Sequence, residues 1–149
     1  MSQIPSDPSE ADLQRVSDGA DLRHPALVDA MRDMGMSSIS NEWGGAGQRA
    51  WEFAMCYRAL QGAGLLRPDA VGLSFASGRE FPLYAVSRSV GRIHATDLYT
   101  PDSLWVAEAK TEDPREFVLN NPPTPCRPEA IDVRRMDMRE AEFPDGSMD

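Results

Sequence analysis

The stretch that decides the fold begins Ala70-Val71-Gly72-Leu73-Ser74-Phe75, turns through Ala76-Ser77-Gly78-Arg79-Glu80, and closes at Arg92-Ile93-His94-Ala95-Thr96-Asp97. A short apolar run, a turn of small residues, a helical segment and a second apolar run ending in an acid outline a strand–turn–helix–strand unit. Such a unit suits a nucleoside. Small residues let the backbone approach a ligand closely, and an acid at the tip of the next strand accepts hydrogen bonds from both ribose hydroxyls. Gly78 and Asp97 are nineteen residues apart, close to the roughly 20 that one helix and one strand require.

Working outward, Phe81 to Val90 reads as a helix, with Leu83, Val86 and Val90 at apolar spacing, Pro82 in the first turn and Gly91 as its stop. The two strands are expected over Ala70 to Phe75 and Ile93 to Thr96. Their brevity suits strands buried on both faces of a parallel sheet. Ile131-Asp132-Val133-Arg134-Arg135-Met136 is the candidate third strand and delivers Asp137 at its end. Short helices are expected over Ser103 to Ala109 and Asp113 to Leu119, and the proline-rich Asn120 to Pro128 is a loop. On the other side, Leu27, Val28, Met31 and Met34 define a short amphipathic helix ending at Gly35. A longer helix carries Trp51, Ala54, Met55, Arg58, Ala59 and Leu60 and stops near Gly62 and Gly64. Trp43 to Gly47 reads as a loop, and residues 1 to about 20 read as a polar tail. The expected division is 1–40, tail and short helix, and 41–149, a ligand-binding α/β domain.

At 149 residues and 41% hydrophobic, the chain has material for one modest domain. Its net charge of −9 argues against a nonspecific nucleic-acid or membrane-surface binder. Cys56 and Cys126 stand apart without ligand-spaced histidines, so no metal site is expected and the thiols read as reduced. With no basic-led apolar leader and no apolar run of bilayer length, the expected location is the cytoplasm.

Four landmarks then fall in order: the turn Ala76-Ser77-Gly78, Asp97 after the second strand, Met136-Asp137-Met138 after the third, and Glu142-Phe143-Pro144-Asp145-Gly146-Ser147-Met148-Asp149. Together with Trp51-Glu52-Phe53-Ala54, Leu60, Gly64 and Leu65, they resemble the first half of a class I S-adenosylmethionine-dependent methyltransferase of the small-molecule "type 11" kind, over roughly residues 43 to 149. The resemblance implies a Rossmann-like, doubly wound, mainly parallel sheet of about three strands preceded by N-terminal helices. It implies S-adenosylmethionine as cofactor and a small-molecule methyl acceptor. Ala76, Ser77 and Gly78 would face the methionine and ribose portion, and Asp97 would grip the ribose hydroxyls with Leu98 beside the adenine. Asp137 would accept from the adenine amino group, and Met138 would contact or cover the ring. A carboxylate takes two hydroxyl donors at once, and a second selects an exocyclic amine. No catalytic base is assigned.

Three positions depart from the family pattern: Ser74 replaces the acid near the end of the first strand, Ala76 the first glycine and Glu80 the third. A methyl group at Ala76 calls for negative φ there. The chain stops at Asp149 where a further strand is expected, so it reads as a fragment, with an unpaired edge on its first strand open to self-association. Two other classes share these features: a non-catalytic nucleotide-binding or interaction module, and an NAD-dependent dehydrogenase, which lacks its G-x-G-x-x-G turn here. Gly72-Leu73-Ser74-Phe75-Ala76 imitates a hydrolase nucleophile elbow, but its last glycine is absent and His94 reads as a packed strand residue. Trp43, Trp51 and Trp105 read as packing groups, Arg49 as solvated, and Glu108, Glu112, Asp113 and Glu116 as a solvated helix face.

Overall fold

The computed structural model describes residues 24–36, 46–100 and 111–149. The expected tail, the loop residues Trp43 to Gly45 and the helix over Ser103 to Ala109 lie outside them, as do Trp105 and Glu108. The chain forms two compact units, Met1–Leu65 and Leu66–Asp149.

In the first unit, α1 (Pro25–Asp33) starts on a proline, and the His24 Nδ1 accepts the Ala26 amide at 3.3 Å. Its apolar positions Leu27, Ala30 and Met31 are buried, and Gly35 leaves the helix at φ 83°. The second helix, α2 (Ala46–Gly62), begins inside the segment expected to be a loop. Ala46 and Gly47 are its first turn. The helix ends where expected: Gly64 takes φ 68°, and the Leu65 amide reaches back to the Leu60 carbonyl at 3.0 Å. Ala50, Trp51, Ala54, Met55 and Tyr57 are buried along it, and Arg58 donates to the Ala26 carbonyl of α1 at 3.4 Å.

The second unit is built on β1 (Val71–Phe75), α3 (Phe81–Ser87), β2 (Arg92–Asp97), α4 (Pro114–Leu119) and β3 (Ile131–Arg135). All three strands are parallel, in the order β1-β2-β3, which makes this a mixed α/β fold with an open three-stranded sheet. Gly72, Ile93 and Ile131 stand in register on one face; Leu73, His94 and Asp132 stand on the other. Central β2 is buried from Ile93 to Thr96, as its apolar run demands. His94 is buried, bonded through Nδ1 to the Asp132 Oδ2 at 2.8 Å, and lies 5.0 Å from the Phe143 ring. That is a packed strand histidine.

α3 packs on β2 and α4 on β3. The two helices are joined directly by the Tyr84 hydroxyl, which donates to the Val118 carbonyl at 2.8 Å. Asp113 caps α4 by accepting the Glu116 amide at 2.8 Å, and Glu112, Asp113 and Glu116 are exposed. α3 is shorter than its apolar spacing suggests, because Arg88 to Gly91 must turn tightly to bring the chain back beside β1. A Cβ at Gly91 would sit 2.5 Å from the Pro68 carbonyl oxygen, while the Gly91 amide bonds the Ala70 carbonyl at 3.0 Å. Only glycine fits against that backbone.

On its outer side, β1 meets Asp149. The Val71 amide donates to the Asp149 Oδ2 at 2.8 Å, the Asp149 amide donates to the Val71 carbonyl at 3.0 Å, and Arg67 pairs with the same carboxylate. Strand alternation turns the backbone groups of Leu73 and Phe75 to that same open edge.

Candidate functional site at the carboxyl ends of the strands

The turn after β1 folds back onto the end of β2. The Ser77 amide donates to the Thr96 carbonyl at 3.1 Å, and the Gly78 amide donates to the Asp97 Oδ2 at 3.2 Å. The other oxygen, Oδ1, accepts the Leu98 amide at 2.7 Å. Asp97 therefore staples the β1–α3 turn to its own strand end through one amide per oxygen. Each oxygen of an ionised carboxylate has two acceptor positions, so one remains on each.

The backbone required for this is left-handed at two places. Gly78 takes φ 43°, which costs glycine nothing, but Ala76 takes φ 49°. This overturns the expectation of negative φ at Ala76, because the chain must reverse within two residues to bring the Ser77 amide onto Thr96. Ser77 is buried; its hydroxyl lies 3.3 Å from the hydroxyl of Tyr99, which is itself fully buried at φ 42°. Burial pushes the Tyr99 phenol up to about 12, against the Ser77 hydrogen bond, which lowers it. Ser77 thus faces the core through Tyr99. Of the turn, Gly78 is the residue in contact with Asp97.

Arg79 does not enter this site. It donates to the carbonyls of Asn120, at 3.0 Å, and Asn121, and lies over the Phe117 ring at 5.7 Å. It ties the turn to the loop after α4.

At the end of β3, the Met136 amide donates to the Asp97 carbonyl at 2.9 Å, so Asp137 emerges beside Asp97 on the neighbouring strand. Asp137 caps a short 3-10 turn, Met138–Glu140, by accepting the Arg139 amide at 2.9 Å. The Arg139 guanidinium also forks onto the carboxylate, with Nε 2.9 Å from Oδ1 and Nη2 on Oδ2. Hydrogen bonds from the Arg139 side chain and then its amide hold the Asp137 carboxyl at about 2.

Exposed apolar side chains stand close to these acids along the chain. Phe75, Leu98 and Met138 are 42%, 43% and 55% exposed and are the large hydrophobic side chains left open to solvent among the described residues. Each follows or ends a different strand, at the same end of the sheet. The structure thus brings Gly78, Asp97, Leu98, Asp137 and Met138 to one edge, keeps Ala76 at the turn's bend, and turns Ser77 inward. Three residues were missed from the sequence. Phe75 reads as an ordinary strand apolar position. Tyr99 gave its only signal by following Asp97-Leu98, and Arg139 by standing two residues after a capping acid. Among the described residues no group of three or more His, Cys, Asp or Glu could hold a metal ion, and no helix is long and apolar enough to cross a membrane. No protein-family model, curated protein or solved structure matches this chain.

Proposed function

We propose that this chain is the cofactor-binding half of a Rossmann-like, class I S-adenosylmethionine-dependent methyltransferase acting in the cytoplasm on a small-molecule acceptor. The observation that carries this reading is the company Asp97 keeps. Three exposed large apolar side chains end or follow three parallel strands at their carboxyl ends, where an open α/β sheet binds its ligands. Water is a poor environment for such side chains, and an aromatic base is a good one. Asp97 fits two adjacent ribose hydroxyls, since each of its oxygens keeps one acceptor position after the Gly78 and Leu98 amides are served. Leu98 and Met138 fit the two sides of an adenine, and Asp137 fits its amine.

In this reading the cofactor supplies a methyl group activated on sulfonium sulfur. What the chain's own residues do is hold and orient: Asp97 fixes the ribose, the apolar rim excludes water from the base, and Ala76 to Gly78 border the methionine end. Orientation of that kind accounts for much of what such enzymes contribute.

Calorimetric titration with S-adenosylhomocysteine tests the reading, with Asp97→Ala beside the parent chain and circular dichroism on both. Saturable binding by the parent, weakened about ten-fold or more in the variant, is expected from loss of hydrogen bonds to a charged acceptor. A folded parent chain that fails to bind would reject it, and preference for a dinucleotide would move the assignment to a dehydrogenase.

One observation favours a second reading, a nucleotide-binding module without transfer. The Ser77 and Gly78 amides and half of the Asp97 acceptor capacity are spent inside the protein. Binding without methyl transfer to any acceptor would support that alternative.

A further inference from the structure

The Asp137 carboxylate, the group that would read the adenine amine, is already largely occupied. An ionised carboxylate offers about four acceptor positions. Arg139 alone brings three donors to them: its amide donates to Oδ1 at 2.9 Å, its Nε–H is shared between Oδ1 at 2.9 Å and Oδ2 at 3.1 Å, and Nη2 donates to Oδ2. A neutral amine competes poorly with a guanidinium fork, whose charge-assisted bonds are about twice as strong as neutral ones. The fork is nonetheless easy to open, because the Arg139 side chain is 83% exposed, against 24% for Asp137, and loses little on returning to water.

Resting on the methyltransferase reading above, we infer that Arg139 is a built-in competitor for the adenine-reading carboxylate, and that Asp137 accepts the adenine amine most strongly when the guanidinium fork swings into solvent. The 3-10 turn keeps its cap throughout, since the Arg139 main-chain amide can stay on Oδ1 while the side chain leaves. Affinity is thereby lowered by the cost of opening one exposed ion pair. The exchange also favours ligands that bring their own donor to Asp137: a base without an exocyclic amine leaves the fork closed and gains nothing from the carboxylate.

The inference predicts an inverted salt effect. Salt screens the exposed fork, so raising ionic strength frees Asp137. The experiment is calorimetric titration of the full chain and Arg139→Gln with S-adenosylhomocysteine, each at about 20 mM and about 500 mM salt. Arg139→Gln is expected to bind about three-fold tighter than the parent at low salt, within the roughly five-fold ceiling of a surface pair. The two proteins should converge at high salt because the parent improves. Equal affinity at low salt would overturn the inference while leaving the cofactor reading intact. Weaker binding by Arg139→Gln would also overturn it, by showing that the guanidinium contacts the base. Absence of saturable binding in both folded proteins would remove the cofactor reading, and this inference with it.

Discussion

Ala76 shows how a single residue records a compromise. Its φ of 49° places an L-residue where the left-handed conformation costs about 1–2 kcal/mol. The turn accepts that cost because the reversal brings the Ser77 amide to Thr96 and the Gly78 amide to Asp97. Glycine would take the same conformation freely but gives up about 0.5–1 kcal/mol of chain entropy. Ala76→Gly is therefore expected to raise stability by about 0–1.5 kcal/mol, the difference between those two terms. Urea unfolding measures it, and a loss of stability would mean that the alanine methyl group makes packing contacts worth more than the strain. The makeup of this candidate site was legible in the sequence: small residues at the turn and an acid at the ends of the second and third strands. The dihedral of Ala76 and the pairing of Asp137 with Arg139 were not. The first depends on where the turn must land, and the second on a rotamer that no spacing rule specifies.

Among the elements, the strands were the most legible. Short runs of Val, Leu, Ile and Ala between turn residues have few alternatives, and the observed ends differ from expectation by one residue at most. Helix ends were less so. The periodicity through Val86 and Val90 extends past Ser87, yet the chain leaves the helix there because Gly91 has to pass the Pro68 carbonyl. The start of α2 was hidden for the opposite reason: Ala46 and Gly47 follow a glycine-rich stretch, and composition near a helix start carries little weight against a strong apolar face further on. How α3 and α4 are joined was invisible, because Tyr84 and Val118 are 34 residues apart. Tyr84→Phe removes the hydroxyl and leaves the Val118 carbonyl buried without its partner. A loss of about 1–3 kcal/mol is expected, read as a lower urea midpoint at unchanged slope. An unchanged midpoint would mean that water replaces the phenol there.

For the whole molecule, the parallel order β1-β2-β3 puts Asp97 at the end of the central strand, with the ends of β1 and β3 on either side. That arrangement follows from chain order and short connections, which is why the convergence of these strand ends could be expected before their contacts. A ligand held there would touch residues from 75 to 138, a stretch that covers about three quarters of the second compact unit. Under the proposed function, it must therefore resist unfolding of that unit as a body. At S-adenosylhomocysteine near a hundred times its dissociation constant, stabilisation is about 2.7 kcal/mol, which raises the melting temperature on the order of 10 °C for a unit of this size. Differential scanning fluorimetry reads the shift, and Asp97→Ala should erase most of it. An equal shift in the variant would place the ligand elsewhere.

Gly78 and Gly91 have a consequence for how this sequence can drift. A Cβ at Gly78 meets nothing within 4 Å, and only the sign of φ restricts it. Asn and Asp, which visit that conformation at modest cost, are admissible replacements, and a D-alanine would be at home. At Gly91 the obstacle is the Pro68 carbonyl oxygen, and no L side chain relieves a collision that begins at its first atom. Two glycines that look alike in the sequence thus obey different laws of substitution: one is a question of chirality, the other of volume.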